Sequence, residues 1–264
     1  MVSKPPQIIY SNNFTMVSRN VISGNYPKDA LRGHEIARYI HMLYRCNTKN
    51  ALTKAGRKDY RRFAGYIDAD VFKKIDKYLI ECGFIELLKQ SGNYTFYKIK
   101  LPPIYDNENK SFLLNSEIYT GKRIKLTNHH FVLLPNELIE SVGILNYRKF
   151  NTNELYTILK LYRYNFLESF GGVDFQLLRK ERGRLIINER LYKDIHLSKS
   201  EFIQILDSLE KKRLVKWVDI IVTRDTVDFE EVPRYLGDKY ALPYVKSLNN
   251  RTISILRPIH QVKN

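Results

Sequence analysis

The sequence predicts an α+β fold, mainly α, made of one small unit written twice and joined by a short linker. Three observations carry that prediction. Residues 68–88, "DADVFKKIDKYLIECGFIELL", and residues 198–218, "SKSEFIQILDSLEKKRLVKWV", superimpose without a gap. Phe72 then lies over Phe202, Ile75 over Ile205, Leu79 over Leu209, Phe84 over Leu214 and Ile85 over Val215. In both stretches the apolar spacing is first that of a helix and then that of a strand. The likeness continues upstream, where "HEIARYIHMLYR" (34–45) resembles "NELYTILKLYR" (153–163).

In chain order, residues 1–25 are set apart as an N-terminal arm, and the first domain runs over 26–101. Its first helix carries the stripe Ile36, Tyr39, Ile40 and Leu43, and "RKDYRRFAGYI" gives a shorter helix. Phe72, Ile75 and Leu79 recur at helical spacing, with Tyr78 and Cys82 on the flank. Asp68 stands at the N-cap of that helix, where its oxygen can take an orphan backbone N–H, and Ile67 before it suits a hydrophobic staple. "GFIELLK", a polar turn at "QSGN" and "YTFYKIKL" then make a β-hairpin.

Residues 102–130 read as a linker, "PPIYDNENKSF", followed by a hairpin, "SEIYTGKRIKL". The second domain covers 131–264. It opens on "FVLLPNELIESVGI", a strand entering a short helix at Pro135, where a missing N–H is harmless. Leu155, Ile158, Leu159 and Tyr162 form the next helical stripe; extra residues follow in "GGVDFQLLRKERGRLII", then a short helix, "NERLYKDIHL". Ser198 caps the longer helix behind Leu197, and Phe202, Ile205, Leu206 and Leu209 make its stripe. "RLVKWVDIIVT" starts a strand whose expected partner is "RTISILRP" (251–258), with a long insertion between them that holds a short helix.

The order helix, short helix, longer helix, hairpin resembles the winged-helix family of helix-turn-helix domains, over about residues 26–101 and 150–258. The likeness rests on this pattern and not on an invariant motif. It implies two winged helix-turn-helix domains. Paired winged helices in a chain of this length, with an apolar strand and Pro-x-x-Leu (Pro135 to Leu138) ahead of the second, are similar to the replication initiators of plasmids and related mobile elements. That resemblance implies recognition of repeated origin sites and recruitment of host replication proteins, and it is compatible with a homodimer. A transcriptional regulator would use the same fold and charges, because fold alone does not decide function.

The balance of 44 Lys+Arg against 28 Asp+Glu, a formal charge of +16, points to a polyanionic partner, and double-stranded DNA is the first candidate. A membrane surface is second, with no long basic amphipathic helix and no lipidation signal to support it. No apolar run is long enough to cross a bilayer, and "MVSKPPQIIYSNNF" lacks the apolar core of a signal peptide. Cys46 and Cys82 are too few for a disulfide framework, so the expected compartment is the cytoplasm.

In helix-turn-helix proteins the longer helix enters the major groove with the face opposite its apolar stripe. In the second copy that face offers Ser200, Gln204, Asp207 and Lys211, with Lys199 and Lys212 alongside. Gln can pair with adenine through two hydrogen bonds, and Ser can donate to several base edges. In the first copy it offers Asp70, Lys74, Lys77 and Glu81 beside Lys73, and its two acids make it the weaker reader. "KAGRKDYRR" places Lys54, Arg57, Lys58, Arg61 and Arg62 near the first short helix, and "RKERGR" places Arg179, Lys180, Arg182 and Arg184 ahead of the second. Such cations hold phosphates without reading sequence. Lys89, Asn93 and Tyr94 sit at the tip of the first hairpin, whereas "RDTVDFEE" makes the second wing region acidic and suited to a protein partner.

Most of the 19 tyrosines fall on or beside helical stripes, which fits core packing better than single-strand stacking. His34 and His41 lack the further ligands of a tetrahedral metal site, and the adjacent pair in "NHHF" would point to opposite faces of a strand. No Gly-rich phosphate loop, nucleophile elbow or Walker pattern occurs. The expectation is a protein without cofactor or catalytic residues. A winged-helix protein-interaction module is the alternative from another class, motivated by Asp70, Glu81, Asp225, Asp228, Glu230 and Glu231.

Overall fold

The computed structural model describes residues 9–11, 13–22, 31, 33–46, 52–91, 94–100, 102, 104–106, 108–113, 131–166, 172–221 and 252–262. Two strands come first, β1 (Ile9–Ser11) and β2 (Phe14–Ser18). Helix α1 (Gly33–Tyr44) buries Ile36, Tyr39 and Ile40, the stripe its spacing dictates. After β3 (Leu52–Thr53) come α2 (Arg57–Ala64) and α3 (Ala69–Glu81), then the hairpin of β4 (Ile85–Ser91) and β5 (Tyr94–Ile99). Asp68 caps α3, its Oδ1 accepting from the Asp70 N–H at 2.8 Å, and Ile67 is buried beneath it. A cap of this kind contributes about 1 kcal/mol. Gly83, at φ +78°, lets the chain leave α3 in a left-handed turn that few side chains tolerate. The sheet order is β3-β5-β4, antiparallel throughout, with a bulge in β4 between Leu87 and Lys89.

The segment read as a linker is itself paired. β6 (Ile104–Asp106) and β7 (Ser111–Leu113) form a hairpin. Asp106 closes its turn by accepting from the Glu108 N–H at 2.9 Å and the Asn109 side chain at 2.7 Å. Asp and Asn favour such turns as much as they favour linkers, so composition alone does not reveal the pairing. The hairpin expected over "SEIYTGKRIKL" lies outside the described residues.

The second unit begins with β8 (Phe131–Pro135), so Pro135 ends a strand, and the turn that follows (Leu138–Val142) is π-helical. Then come α4 (Thr152–Arg163), β9 (Asn165–Phe166), β10 (Gly172–Val173), β11 (Leu178–Glu181) and β12 (Arg184–Ile187). Two 3-10 turns, Glu189–Leu191 and Lys193–Ile195, stand where the sequence predicts a short helix. The Tyr192 carbonyl is taken by the Leu197 N–H at 2.9 Å, and His196 at φ +56° turns the chain back within one turn, so no α-helix develops.

Helix α5 (Lys199–Lys211) opens on a capping box between Ser198 and Glu201 and buries Phe202, Ile205, Leu206 and Leu209. It leads into β13 (Val215–Ile221), which pairs with β14 (Thr252–Pro258) from Val215↔Pro258 to Ile221↔Thr252, the partner expected from the sequence. The order here is β12-β11-β14-β13, so β11 lies on β14 as β3 lies on β5. The extra residues of the second copy supply β10 to β12.

Residues 9–18 are not a free arm. β2 pairs antiparallel with β8, Phe14↔Pro135 to Ser18↔Phe131, and β1 runs parallel to β15 (His260–Val262). Strand alternation explains it: Thr15 and Val17 are buried while Phe14 and Met16 face out. The two units also share one core, in which Val17, Ile36 and Leu134 join Leu155 and Leu159. Tyr156 Oη donates to the Leu31 carbonyl at 3.1 Å, Tyr44 Oη to Glu140 Oε1 at 2.6 Å, and Tyr147 Oη to the Tyr66 carbonyl. Where α1 meets α4, a Cβ on Gly33 would lie 2.1 Å from Thr152 Oγ1, so a larger residue would have to push the Thr152 side chain aside. The result is a mixed α+β protein with small, mostly antiparallel sheets. Among the described residues no helix is long and apolar enough to cross a membrane.

Candidate nucleic-acid interface

Helix α3 is held from behind by one carboxylate. Asp76, 6% exposed, accepts from Arg38 Nε on α1 at 2.8 Å, from Arg38 Nη2 at 3.1 Å and from Tyr97 Oη on β5 at 2.6 Å. Arg38 is fully buried, donates also to the Ala55 carbonyl at 2.7 Å, and lies 4.5 Å from the centroid of the Phe72 ring. A guanidinium only donates, so His41 Nδ1, 3.1 Å from Arg38 Nη1, is the acceptor. The proton is therefore assigned to Nε2, which faces Asp59 Oδ2 at 3.2 Å. Burial, with Arg38 and Arg45 nearby, holds the His41 pKa down to about 2, which keeps the ring neutral. In the second unit Lys160 on α4 pairs with Asp194 in the second 3-10 turn, its pKa lowered to about 8 by burial.

The outward side of α3 carries Asp70, Lys73, Lys74, Lys77 and Glu81, all exposed. Lys73 lies 3.8 Å from Asp70, and Lys77 lies 3.6 Å from Glu81. Exposed pairs of this kind contribute little, so phosphates could displace them. On α2, Lys58 and Arg62 are exposed one turn apart and Arg57 is half-buried. Arg61 is engaged elsewhere: Nε and Nη2 donate to the Ile67 carbonyl at 3.2 and 3.0 Å, and the guanidinium rests 4.4 Å from the centroid of the Tyr66 ring. Its place is in the turn between α2 and α3. Lys89 is exposed on β4, while Asn93 and the Tyr94 side chain lie outside the described residues.

On α5 the outward residues Lys199, Ser200, Gln204, Asp207 and Lys211 are exposed as the stripe requires. Ser200 Oγ sits 3.1 Å from Ser198 Oγ at the cap. Glu201 and Glu210 are exposed as well. With Asp207 they give α5 three exposed acids against two on α3, although Asp207 is the one that lies on the outward stripe of α5.

Lys212 is turned toward α4, its Nζ bonding Glu154 Oε1 at 2.6 Å and the Lys149 carbonyl at 2.8 Å. Burial would raise the Glu154 pKa, but hydrogen bonds from Lys212, Ser208 and the Asn151 backbone outweigh it and hold the carboxyl below its ordinary value. Lys212 thus fastens α5 as Asp76 fastens α3, which removes it from the free cations.

Arg179 also leaves the set. It is 6% exposed, 3.2 Å from Glu181, and bonded to the Phe175 carbonyl, because both faces of β11 are covered. Lys180 is half-buried with its ammonium 4.2 Å from the centroid of the Trp217 ring. Arg182 and Arg184 are exposed at the β11–β12 turn. Sequence reasoning missed Lys98, exposed on β5, which strand alternation beside the inward Tyr97 could have found, and Arg213, exposed just past α5. "NHH" and "RDTVDFEE" lie outside the described residues, among which no group of three or more His, Cys, Asp or Glu could hold a metal ion. No family model, no curated protein and no solved structure matches the chain.

Proposed function

We propose that the chain is a non-enzymatic, sequence-reading double-stranded DNA-binding protein of the cytoplasm, with α3 and α5 as the reading helices of two winged helix-turn-helix domains. One observation carries this reading. Each of these helices follows a shorter helical turn, precedes a strand pair, and buries one stripe while the opposite stripe stays in solvent. In a chain of formal charge +16, those outward stripes present Lys73, Lys74 and Lys77 on α3, and Ser200, Gln204 and Lys211 on α5. Lys suits guanine and Gln suits adenine in the major groove. Lys58, Arg62, Arg182 and Arg184 would hold phosphates.

Within that reading, initiation of replication on a plasmid, phage or mobile element is the finer proposal, supported by the resemblance of the paired units to such initiators. A transcriptional regulator is the alternative. Selection of bound sequences from a random duplex pool tests both. Enriched direct repeats clustered in the host replicon support initiation, and an isolated inverted repeat near a promoter supports regulation. If about 6–10 phosphates are neutralised, affinity falls by roughly 10³–10⁵ between 50 and 200 mM salt. The exposed acids Asp70, Glu81, Glu201, Asp207 and Glu210 favour a protein-docking module instead, and that reading prevails if no duplex binds at low salt.

A further inference from the structure

The sheet β3-β5-β4 has two unlike faces. Tyr97 turns inward to Asp76 on α3, and strand alternation sends Phe96 and Lys98 to the other side. The register sets Lys89 opposite Phe96, and both Glu86 and Leu52 opposite Lys98. Lys54, just past β3, holds its ammonium 5.2 Å from the centroid of the Phe96 ring. The outer face therefore gathers exposed Lys54, Lys89 and Lys98 around a half-buried phenylalanine. Glu86, the acid on this face among the described residues, is tied to Lys100 at 3.1 Å. Because α3 packs on the inner face, the outer face looks away from the proposed reading side of that helix.

We propose that this outer face binds single-stranded nucleic acid, with Phe96 stacking on an unpaired base and Lys54, Lys89 and Lys98 contacting the flanking phosphates. An intact duplex would meet the lysines with its phosphate rails but keeps its bases stacked, so the central ring would find a partner only where a base step is pried open. An unpaired base supplies that partner, and its backbone supplies the charge. In the free protein Lys54 covers the ring. Exchanging that exposed cation–π contact for base stacking and a phosphate contact is favourable. The site differs from the helical readers in face and in ligand, so it stands whether or not they read DNA.

The test is fluorescence anisotropy of the full chain with a labelled oligothymidylate about 15 nucleotides long, which neither pairs nor stacks on itself. Phe96→Leu, which keeps an apolar side chain for folding, should weaken binding about fivefold or more, and Lys98→Glu should do likewise. Phe96→Leu should leave duplex affinity and melting temperature as in the parent protein, and excess duplex should not displace the oligothymidylate. No binding of the oligothymidylate, an unaltered affinity in Phe96→Leu, or full displacement by duplex would each overturn the proposal. Retained oligothymidylate binding without any duplex binding would support it while refuting the helical readers.

Discussion

Removing the Asp76 carboxylate, as in Asp76→Ala, strands the fully buried Arg38 guanidinium with no counter-charge among the described residues and with the Ala55 carbonyl and His41 as its remaining hydrogen-bond partners. It also deprives Tyr97 Oη of its acceptor. Breaking a buried ion pair from one side costs about 3–5 kcal/mol, and the orphaned hydroxyl falls largely within that range because the groups form one network. An unfolding entropy of about 2.1 cal/mol/K per residue gives about 0.55 kcal/mol/K for the whole chain, hence a melting temperature lowered by about 5–9 °C. Calorimetry or circular dichroism on purified protein measures it. Arg38→Met with Asp76→Leu, which replaces the pair by apolar groups, should recover most of the loss, since such swaps are often neutral. A fall below about 2 °C in Asp76→Ala, or a double variant no better than the single, would refute the claim that this carboxylate fastens α3 to α1 and the hairpin.

Other expectations follow from the same geometry. Burial pushes the Asp174 carboxyl up to about 6, so between about pH 4 and 6 the folded state binds more protons than the unfolded one and stability falls as pH rises. Asp174→Asn, which can still accept from the Gln176 N–H, should raise stability at pH 7 by up to about 3 kcal/mol and remove that slope relative to the parent in pH-dependent urea melts; an unchanged slope contradicts it. Gly33→Ala should cost about 1–3 kcal/mol through the clash with Thr152, and Thr152→Ala should restore part of it in the same melts. Arg62→Ala should weaken binding to every duplex at constant melting temperature, whereas Arg61→Ala should lower the melting temperature, because Arg61 holds the Ile67 carbonyl.

The helices were legible because their signals are local. Asp68 and Ser198 act on backbone groups within one turn, and each apolar stripe is a matter of spacing three or four residues apart. β14 was legible as the partner of β13 because an apolar, β-branched run must find a neighbour. β1 and β2 were not, since their partners lie far along the chain and five alternating residues resemble any extended arm. Asp76 left one trace: it lies over Leu206 when the two copies are aligned, a charge in a core slot. That slot implied a buried counter-charge, but nothing local named Arg38. Arg179 could not be sorted from Arg182 and Arg184 by alternation, because a strand covered on both faces buries consecutive residues.

Base reading by the outward face of α5 is tested most directly at Gln204. With the selected duplex in hand, affinities of the parent and Gln204→Ala are measured on that duplex and on versions changed at single positions. The proposed function predicts a loss of about 1–3 kcal/mol on the selected duplex and no further loss on one version, whose altered base is the partner of Gln204. Equal losses for the parent and Gln204→Ala at every position, or none at all, would contradict it.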